Sequence, residues 1–342
     1  MRKYNIAVAG ATGAVGEEIF RVLEEVDFPV GEVLPLASAR SVGVEIEFKG
    51  EKYKTKELTE SVFEEHEVDI AFFSAGGSVS AHYVPFAVES GAVVIDNTSH
   101  FRMEPDVPLV VPEVNPEDIA LWKERGIIAN PNCSTIQMVQ ALKPLDEAFD
   151  IVRVDVATYQ AVSGAGKKGM EELVMQMKDF FAFRLDESEH EAFAHQIALN
   201  VIPHIDKFLD NRYTKEEMKM VNETRKIMHK DIEVSATCAR VPVLRSHSEA
   251  VTVTFRKDVD LDRAFEVLAN GKNLKLVDDP ANNLYPMPIM ATDTDFTYVG
   301  RVRKDNFRDN VLHFWCVADQ LRVGAATNAV RIAQKWIETE ES

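Results

Sequence analysis

The sequence predicts an α/β protein with a doubly wound, Rossmann-type nucleotide-binding domain followed by an α+β domain. Three observations support this prediction. A glycine-rich turn joins the first apolar strand to an amphipathic helix, and near-continuous apolar strands follow up to about residue 130. After residue 150 the strands instead alternate apolar and polar residues. Because 342 residues suit two domains better than one core, we expect a nucleotide domain over residues 1–130 and a second domain over residues 131–319.

Composition narrows the class of protein. Hydrophobic residues make up 46% and charged residues 27% of the chain, which is typical of a globular protein. The net charge of −18 argues against nucleic acid as a partner, because phosphate backbones need clustered Lys and Arg. No apolar run is long enough for a membrane span or a signal peptide, so no membrane association is expected. The three cysteines are far apart and no metal-ligand spacing occurs, which favours the reducing cytoplasm and no metal.

The first element pair is a strand over residues 4–9 and a helix joined by Gly10-Ala-Thr-Gly-Ala-Val-Gly16. Glycines allow a tight turn and the close approach of a pyrophosphate to the amides of a helix N-terminus. The spacing is G-x-x-G-x-x-G rather than the usual fingerprint, so a plain strand-to-helix turn is the alternative interpretation.

The second strand, over residues 32–37, ends in polar and basic residues instead of an acidic one. An Asp or Glu at this point would bind a ribose 2′-hydroxyl, whereas Arg40 with Ser38 and Ser41 suits a 2′-phosphate. We therefore expect NADP as the cofactor. A solvated arginine on a surface loop is the alternative.

Further apolar segments predict the remaining strands of a parallel sheet, over residues 69–74, 92–96, 109–111 and 126–129. In such sheets ligands bind at the carboxyl ends of the strands. Cys133 lies just after the last of these strands. The pattern therefore predicts that a nucleotide and a thiol meet at one edge of the sheet, as in a dehydrogenase that uses a covalent thiol.

Cys133 itself is a candidate nucleophile. The chain leaves the strand at Asn130-Pro131, where proline cannot continue a ladder, and a helix is predicted from near Ser134. A helix N-terminus lowers the pKa of a cysteine, and the thiolate is the reactive form. A small buried core residue is the alternative interpretation.

The second domain is predicted as a mixed or antiparallel sheet with one covered face. Its strands are expected over residues 152–160, 232–241, 250–256, 298–303 and 311–318, with helices near 168–182 and 214–229. A last helix, over about residues 320–342, is expected to pack on the nucleotide domain.

Seven motifs occur in the order found in the aspartate-semialdehyde dehydrogenase family, which the chain resembles over its whole length. They are Gly10-Ala-Thr-Gly-Ala-Val-Gly16, Ser99-His-Phe-Arg-Met103, Asn130-Pro-Asn-Cys-Ser-Thr135, Tyr159-Gln-Ala-Val-Ser-Gly164, Glu216-Glu-Met-Lys219, Arg240-Val-Pro-Val-Leu-Arg-Ser-His247 and Asp319-Gln-Leu321. The run Ala37-Ser-Ala-Arg-Ser41 and the lack of long insertions resemble the Gram-positive branch. The resemblance implies a Rossmann domain joined to a catalytic and dimerisation domain like that of glyceraldehyde-3-phosphate dehydrogenase.

The resemblance also implies an activity and a thioester mechanism. The expected reaction is the NADPH-dependent reduction of L-4-aspartyl phosphate to L-aspartate 4-semialdehyde with release of inorganic phosphate, an early step toward lysine, threonine, methionine and diaminopimelate. Cys133 would form the thioester, and Asn132 would help to stabilise the oxyanion. His247 would be the acid/base and Gln160 would orient the acyl group.

The remaining implied contacts divide between substrate and cofactor. Arg240 would hold the α-carboxylate and Glu216 the ammonium, while Arg102 and Lys219 would bind the phosphate. An exposed intrahelical pair is the ordinary interpretation of Glu216 with Lys219. The implied contacts at the nicotinamide end are Ser163, Gly164 and Gln320, and those of the pyrophosphate loop are Gly10, Thr12, Gly13, Ala14 and Val15. A homodimer or a tetramer is expected.

Two alternatives stay open. One is an N-acetylglutamyl-phosphate reductase, whose blocked amine would not need Glu216 and whose usual cysteine context differs from Asn-Cys-Ser-Thr. The other is a non-catalytic paralogue, although such proteins typically lose the cysteine that is retained here as Cys133.

Overall fold

We describe the fold from a computed structural model that covers residues 2–340. Residue 1 of the predicted nucleotide domain and residues 341–342 of the predicted last helix lie outside the described residues. The chain forms two compact units. The nucleotide unit combines the residues up to Asn132 with those from Ala325 onward, and the catalytic unit comprises Cys133–Gly324.

The strands are β1 (Tyr4–Ala9), β2 (Val30–Ala37), β3 (Glu45–Phe48), β4 (Glu51–Lys54), β5 (Lys56–Glu57), β6 (Ile70–Phe73), β7 (Val93–Asp96), β8 (Ile127–Ala129), β9 (Ile151–Gln160), β10 (Glu233–Arg240), β11 (His247–Phe255), β12 (Leu274–Leu276), β13 (Thr297–Lys304) and β14 (Val311–Ala318). The α-helices are α1 (Ala14–Glu25), α2 (Val62–Glu65), α3 (Gly77–Glu89), α4 (Cys133–Phe149), α5 (Gly166–Phe181), α6 (Lys215–Met228), α7 (Leu261–Ala269), α8 (Pro288–Ala291) and α9 (Thr327–Glu340). None of the helices in residues 2–340 is both long and apolar enough to cross a bilayer.

The nucleotide unit is built on a six-stranded parallel sheet with the strand order β5-β2-β1-β6-β7-β8. Every residue of β6 and β7 is buried, which explains their uninterrupted apolar sequences. The parallel sheet confirms the predicted doubly wound class. The hairpin of β3 and β4 was not predicted, because its alternation of charged and apolar residues is only four residues long in each strand.

Helix α9 packs within the nucleotide unit. The ring of Trp336 meets Tyr4 and Trp122 edge-on, with centroids 6.1 Å and 5.7 Å apart. Ala329 and Val330 join the same core as the first strands. The helix begins at Thr327, later than predicted, because the preceding residues form a π-helical turn. Extra turns of this kind are often found at functional sites.

The prediction of a strand over residues 109–111 is wrong. Leu109 makes a single parallel bridge to Ala129, and the segment forms no ladder. Prolines flank the segment on both sides, and a side chain makes two of its hydrogen bonds. The amide of Val111 donates to Asn115 Oδ1 at 2.9 Å, and Asn115 Nδ2 donates to the Leu109 carbonyl at 2.9 Å.

The catalytic unit is built on a mixed sheet with the strand order β10-β9-β11-β14-β13-β12. Strands β9, β11, β14 and β13 pair antiparallel, while the two outer strands pair parallel to their neighbours. One face is covered by helices α4, α6 and α7 around a single core, as the alternating sequences predict. Strand β11 begins three residues before its predicted start at residue 250, which makes His247 its first residue.

Candidate active site

The glycine turn of the nucleotide unit leaves no room for a side chain at two of its glycines. Gly10 has φ +90°, and a side-chain carbon there would lie 2.9 Å from Ser74 Oγ. A side-chain carbon on Gly16 would lie 2.2 Å from the Gly10 carbonyl oxygen. Helix α1 starts at Ala14, and its N-cap, Gly13, supplies no side-chain acceptor. The first amides of the helix therefore point into space that an anion can use.

A cavity of about 490 Å³ opens beside this turn. Gly10, Thr12, Gly13 and Ser38 are among the residues that line it. Ala14 and Val15 are half-buried in the first turn of α1. The structure therefore brings the predicted pyrophosphate loop together with the end of β2. Arg40 and Ser41 do not line the cavity but lie on the 3₁₀ turn that follows Ser38, where Arg40 is exposed.

Arg102 is anchored within the nucleotide unit. It is buried, and its Nε and Nη2 atoms donate to the carbonyls of Asn130 and Asn97 at 2.9 Å and 2.8 Å. Asn130 in turn donates to Asn97 Oδ1 and accepts from Asn328 Nδ2. These bonds hold the end of β8, two residues before the buried Asn132.

In the catalytic unit, Cys133 is the first residue of α4 and is half-buried. This agrees within one residue with the predicted helix start. Sequence reasoning missed its neighbour Gly324, where a side-chain carbon would lie 2.6 Å from Cys133 Cβ. The other two thiols, Cys238 and Cys316, are buried, and burial raises their pKa values. Cys133 is thus the most accessible of the three.

His247 is fully buried, and its ring orientation is fixed by the backbone. The amide of Ala161 donates to Nδ1 at 3.1 Å, so the proton of the neutral ring resides on Nε2. Burial and the nearby Arg240 guanidinium lower the pKa of His247 to about 3. The ring is therefore neutral at pH 7. Its Nε2 lies 3.4 Å from Gln160 Nε2.

Gln160 ends β9 and lies between the histidine and a buried carboxylate. Its Nε2 donates to Glu216 Oε1 at 3.1 Å. Glu216 Oε2 pairs with Lys219 Nζ at 2.9 Å, and Lys219 also reaches Asp206 at 3.0 Å. Although burial opposes it, the two carboxylates raise the pKa of Lys219 to about 12. The intrahelical pair exists, but Glu216 is only 5% exposed, so the pair is not the surface feature that its spacing suggests.

Arg240 is the last member of this group and is buried. Its Nη1 donates to the Ala161 carbonyl at 2.7 Å. Burial lowers the pKa of Arg240, while the charges of Glu216 and of a Cys133 thiolate raise it. A side-chain carbon at Gly164 would lie 2.7 Å from Arg240 Nη1 and 3.3 Å from the His247 ring. Glycine at this position therefore leaves room for both side chains.

Ser163 and Gln320 meet in a second buried contact of the catalytic unit. Gln320 Nε2 donates to Ser163 Oγ, and Gln320 Oε1 accepts from the amide of Ser246 at 2.7 Å. Ala161 is the other residue that sequence reasoning missed. It acts through its amide and carbonyl, so no side-chain signal could have revealed it.

Comparison with known proteins identifies the family. Residues 5–122 match the family described as "Semialdehyde dehydrogenase, NAD binding domain", and residues 142–323 match "Semialdehyde dehydrogenase, dimerisation domain". An aspartate-semialdehyde dehydrogenase of Campylobacter jejuni is 68% identical over 337 residues, which cover 98% of each chain. The chain belongs to the aspartate-semialdehyde dehydrogenase family. The N-acetylglutamyl-phosphate reductase alternative finds no support.

Solved structures of aspartate-semialdehyde dehydrogenases share the fold. The structure of the Vibrio cholerae enzyme II complexed with ASA has a TM-score of 0.95 at 48% identity and covers 99% of each chain. A Candida albicans structure with NADP has a TM-score of 0.74 at 25% identity, with 96% of this chain and 97% of that chain covered. The family carries a nicotinamide-nucleotide domain and an oligomerisation domain. Membership of a Gram-positive branch stays a prediction.

Proposed function

We propose that this protein catalyses the NADPH-dependent reduction of L-4-aspartyl phosphate to L-aspartate 4-semialdehyde, with release of inorganic phosphate. The observation that carries the proposal is the group built around Ala161, whose amide donates to a neutral His247 and whose carbonyl accepts from a charged Arg240. The charge of Arg240 also interacts with a Cys133 thiolate at the start of α4. A thiol nucleophile, a hydrogen-bond donor and a cation suit acyl transfer.

In the first step the Cys133 thiolate attacks the acyl carbon. A carbon–sulfur bond forms, the carbon–oxygen bond to phosphate breaks, and phosphate leaves with the electron pair. Arg240 and the amides at the start of α4 stabilise the thiolate. Asn132 and these amides stabilise the oxyanion, and Arg102 with Lys219 binds the phosphoryl group.

His247 acts on the carbonyl oxygen. Because Nδ1 already accepts from Ala161, Nε2–H is the atom able to stabilise a developing negative charge. When bound, the nicotinamide supplies the hydride that reduces the thioester. Expulsion of the Cys133 thiolate from the resulting oxyanion gives the aldehyde and restores the nucleophile. Acceptance of a thiol proton by His247 would require the other tautomer, so the geometry favours the donor role.

Substrate recognition uses the charges beside this centre. Arg240 holds the α-carboxylate, since among the described residues only Ala161 accepts a hydrogen bond from its guanidinium. Glu216 binds the ammonium group, and Gln160, held by Glu216 and Thr158, orients the acyl group. A blocked amine would leave Glu216 without that partner.

The nucleotide unit binds the cofactor, and NADP is the form that we propose. The loop of Gly10, Thr12, Gly13, Ala14 and Val15 receives the pyrophosphate. Ser38, Arg40 and Ser41 bind the 2′-phosphate, and Ser163, Gly164 and Gln320 serve the nicotinamide end. The catalytic unit also forms the subunit contact of a homodimer or tetramer. A cytoplasmic location and the Gram-positive branch remain predictions from sequence.

The test follows the absorbance of NADPH during oxidation of L-aspartate semialdehyde, with and without phosphate, and with N-acetylglutamate semialdehyde as a control. We expect activity that needs phosphate and only the first substrate. Activity on the acetylated substrate alone would contradict the role of Glu216. Inactivity on both would favour a non-catalytic paralogue.

A further inference from the structure

A second buried polar group lies in the core of the catalytic unit, and the proposed mechanism does not use it. Strand β11 alternates in burial, and its residues Val251, Val253 and Phe255 face the apolar core beneath helix α4. Glu249 occupies the same face and is fully buried. A carboxyl group therefore stands where the pattern of the strand calls for an apolar side chain.

The surroundings of Glu249 contain no charge of opposite sign among its strand partners. In register, Glu249 lies between Thr158 on β9 and Cys316 on β14. Both carboxyl oxygens lack a hydrogen-bond partner within the described residues. An ionised carboxylate in such a position would be very costly, since buried charges require pairing or full hydrogen bonding.

The polar side chain that accompanies Glu249 is Gln137. Gln137 is fully buried, follows Cys133 by one helical turn, and so lies on the same face of α4. Its Nε2 donates to the carbonyl oxygen of His247 at 3.4 Å. In this orientation the amide nitrogen faces the His247 carbonyl at the start of β11. The Oε1 atom at the other end is buried and has no partner among the described residues.

The two groups complement each other if the carboxyl is protonated. A neutral Glu249 would carry an O–H donor, and Gln137 Oε1 is an acceptor that lacks one. Burial raises the pKa of Glu249 far above its usual value, although the Gln137 amide opposes this shift. The thiol of Cys316 donates to the backbone carbonyl oxygen of Gln137 at 3.6 Å and so contacts the same helical turn.

We propose that Glu249 is a positioning residue: in its protonated form it holds the Gln137 side chain against the backbone of His247, which sets helix α4, and Cys133 at its start, relative to that histidine. Gln137 links helix α4, which carries Cys133, to strand β11, which carries His247. The inference rests on the proposed function, because it concerns the alignment of Cys133 with His247. A misplacement of about 1 Å at a reacting centre can cost about 100-fold in rate.

The first test compares Glu249→Gln with Glu249→Leu in the intact enzyme. Glutamine is neutral and keeps a donor for Gln137, so it should retain kcat within about threefold of wild type. Leucine removes the donor and should lower kcat by about 30-fold or more, with KM for aspartate semialdehyde and NADP changed less than about threefold. The matched control is Val253→Ala on the same face of β11, which should lower Tm at least as far but keep kcat.

Equal kcat values for the leucine variant and wild type would overturn the proposal. The proposal would also be overturned if Val253→Ala lost kcat in proportion to its loss of Tm. The loss in Glu249→Leu would then reflect a general loosening of the core. Should Glu249→Leu fail to fold, Gln137→Met tests the same link and should show the same fall in kcat with KM preserved.

Infrared spectroscopy tests the protonation state directly. The carbonyl band of a protonated carboxylic acid should be present at pH 7 in the wild type and absent in Glu249→Gln. Identical spectra in this region would overturn the protonated form. The wild-type rate in the same assays separates the two proposals: an inactive wild type contradicts the proposed function, whereas an active wild type with an equally active Glu249→Leu contradicts only this inference.

Discussion

The two units of this chain form their candidate sites in different ways, one from backbone groups and the other from side chains. The nucleotide unit uses backbone: Gly10, Gly13 and Gly16 shape a turn whose helix amides face a cavity. The catalytic unit uses side chains that come from α4, β9, α6, β10 and β11 and that are mostly buried. A contiguous loop can be recognised in one stretch of sequence, whereas a group assembled from five elements cannot.

The electrostatics of the two sites differ for the same reason. A helix N-terminus supplies partial charges that do not titrate. The catalytic unit instead relies on ionisable groups whose states are set by burial and by one another, such as the neutral His247 and the paired Lys219. We therefore expect variants of the buried group around Ala161 to change kcat and pH dependence, and variants of the glycine turn to change cofactor affinity.

The largest effect tests whether the units are functionally separate. Cys133→Ala should lower kcat by about 10⁴-fold or more, because no thioester can form. NADP affinity, measured by calorimetry, should stay within about twofold of wild type, since the cofactor loop lies in the other unit. A large loss of nucleotide affinity in this variant would break the division of roles.

The next effect tests the close packing around the nucleophile. Gly324→Ala should lower kcat by about 100-fold, because the added carbon would lie 2.6 Å from Cys133 Cβ and must displace it. The control is Gly77→Ala in the nucleotide unit, where the nearest atom would be 3.8 Å away. Steady-state kinetics of both variants provide the measurement. An unchanged kcat in Gly324→Ala would show that Cys133 tolerates displacement.

The third effect concerns the buried histidine and acid stability. The pKa of His247 is lowered to about 3 by burial and by Arg240, against the attraction of Glu216. Between this value and its unfolded pKa the unfolded chain binds a proton that the folded chain does not. Stability should therefore fall with pH below about 6.5, by about 1.4 kcal/mol per pH unit from this residue.

Urea unfolding at pH 6.5 and pH 5.0 measures this contribution. The free energy of unfolding of wild type should fall by about 2 kcal/mol more than that of His247→Gln, whose side chain does not titrate. The interval from pH 7.5 to 8.5 is the control, where the two proteins should change alike. Parallel losses at acidic pH would show that His247 is protonated in the folded enzyme.

The smallest effect sharpens the account of the nucleotide unit. Arg40→Ala should raise KM for NADP about tenfold and leave KM for NAD unchanged, because one charge-assisted contact to the 2′-phosphate is lost. Arg21→Ala, an exposed arginine on α1, is the matched control and should change neither value. Equal effects on both cofactors would mean that Arg40 is only a solvated surface residue.

The regular elements were largely predictable, and the exceptions have local causes. Strand β14 was predicted with the bounds that it has, because seven of its eight residues are apolar and no Gly or Pro interrupts them. Residues 109–111 have an equally apolar sequence, but the prolines beside them and the Asn115 side chain replace a strand ladder with isolated bonds. The periodicity of apolar residues does not predict hydrogen bonds from a side chain outside the segment.

By itself, the sequence determined the fold class, the glycine turn, the position of Cys133 at a helix start and, through seven ordered motifs, the family. These properties depend on residues that are close together in the chain or on patterns of fixed period. Only the tertiary structure decided that Ala161 orients both His247 and Arg240, that Gly324 lies against Cys133 and that Glu249 is fully buried. The contacts of Ala161 and Gly324 join residues between 79 and 191 positions apart, and burial together with the charge of Arg240 sets the protonation of His247.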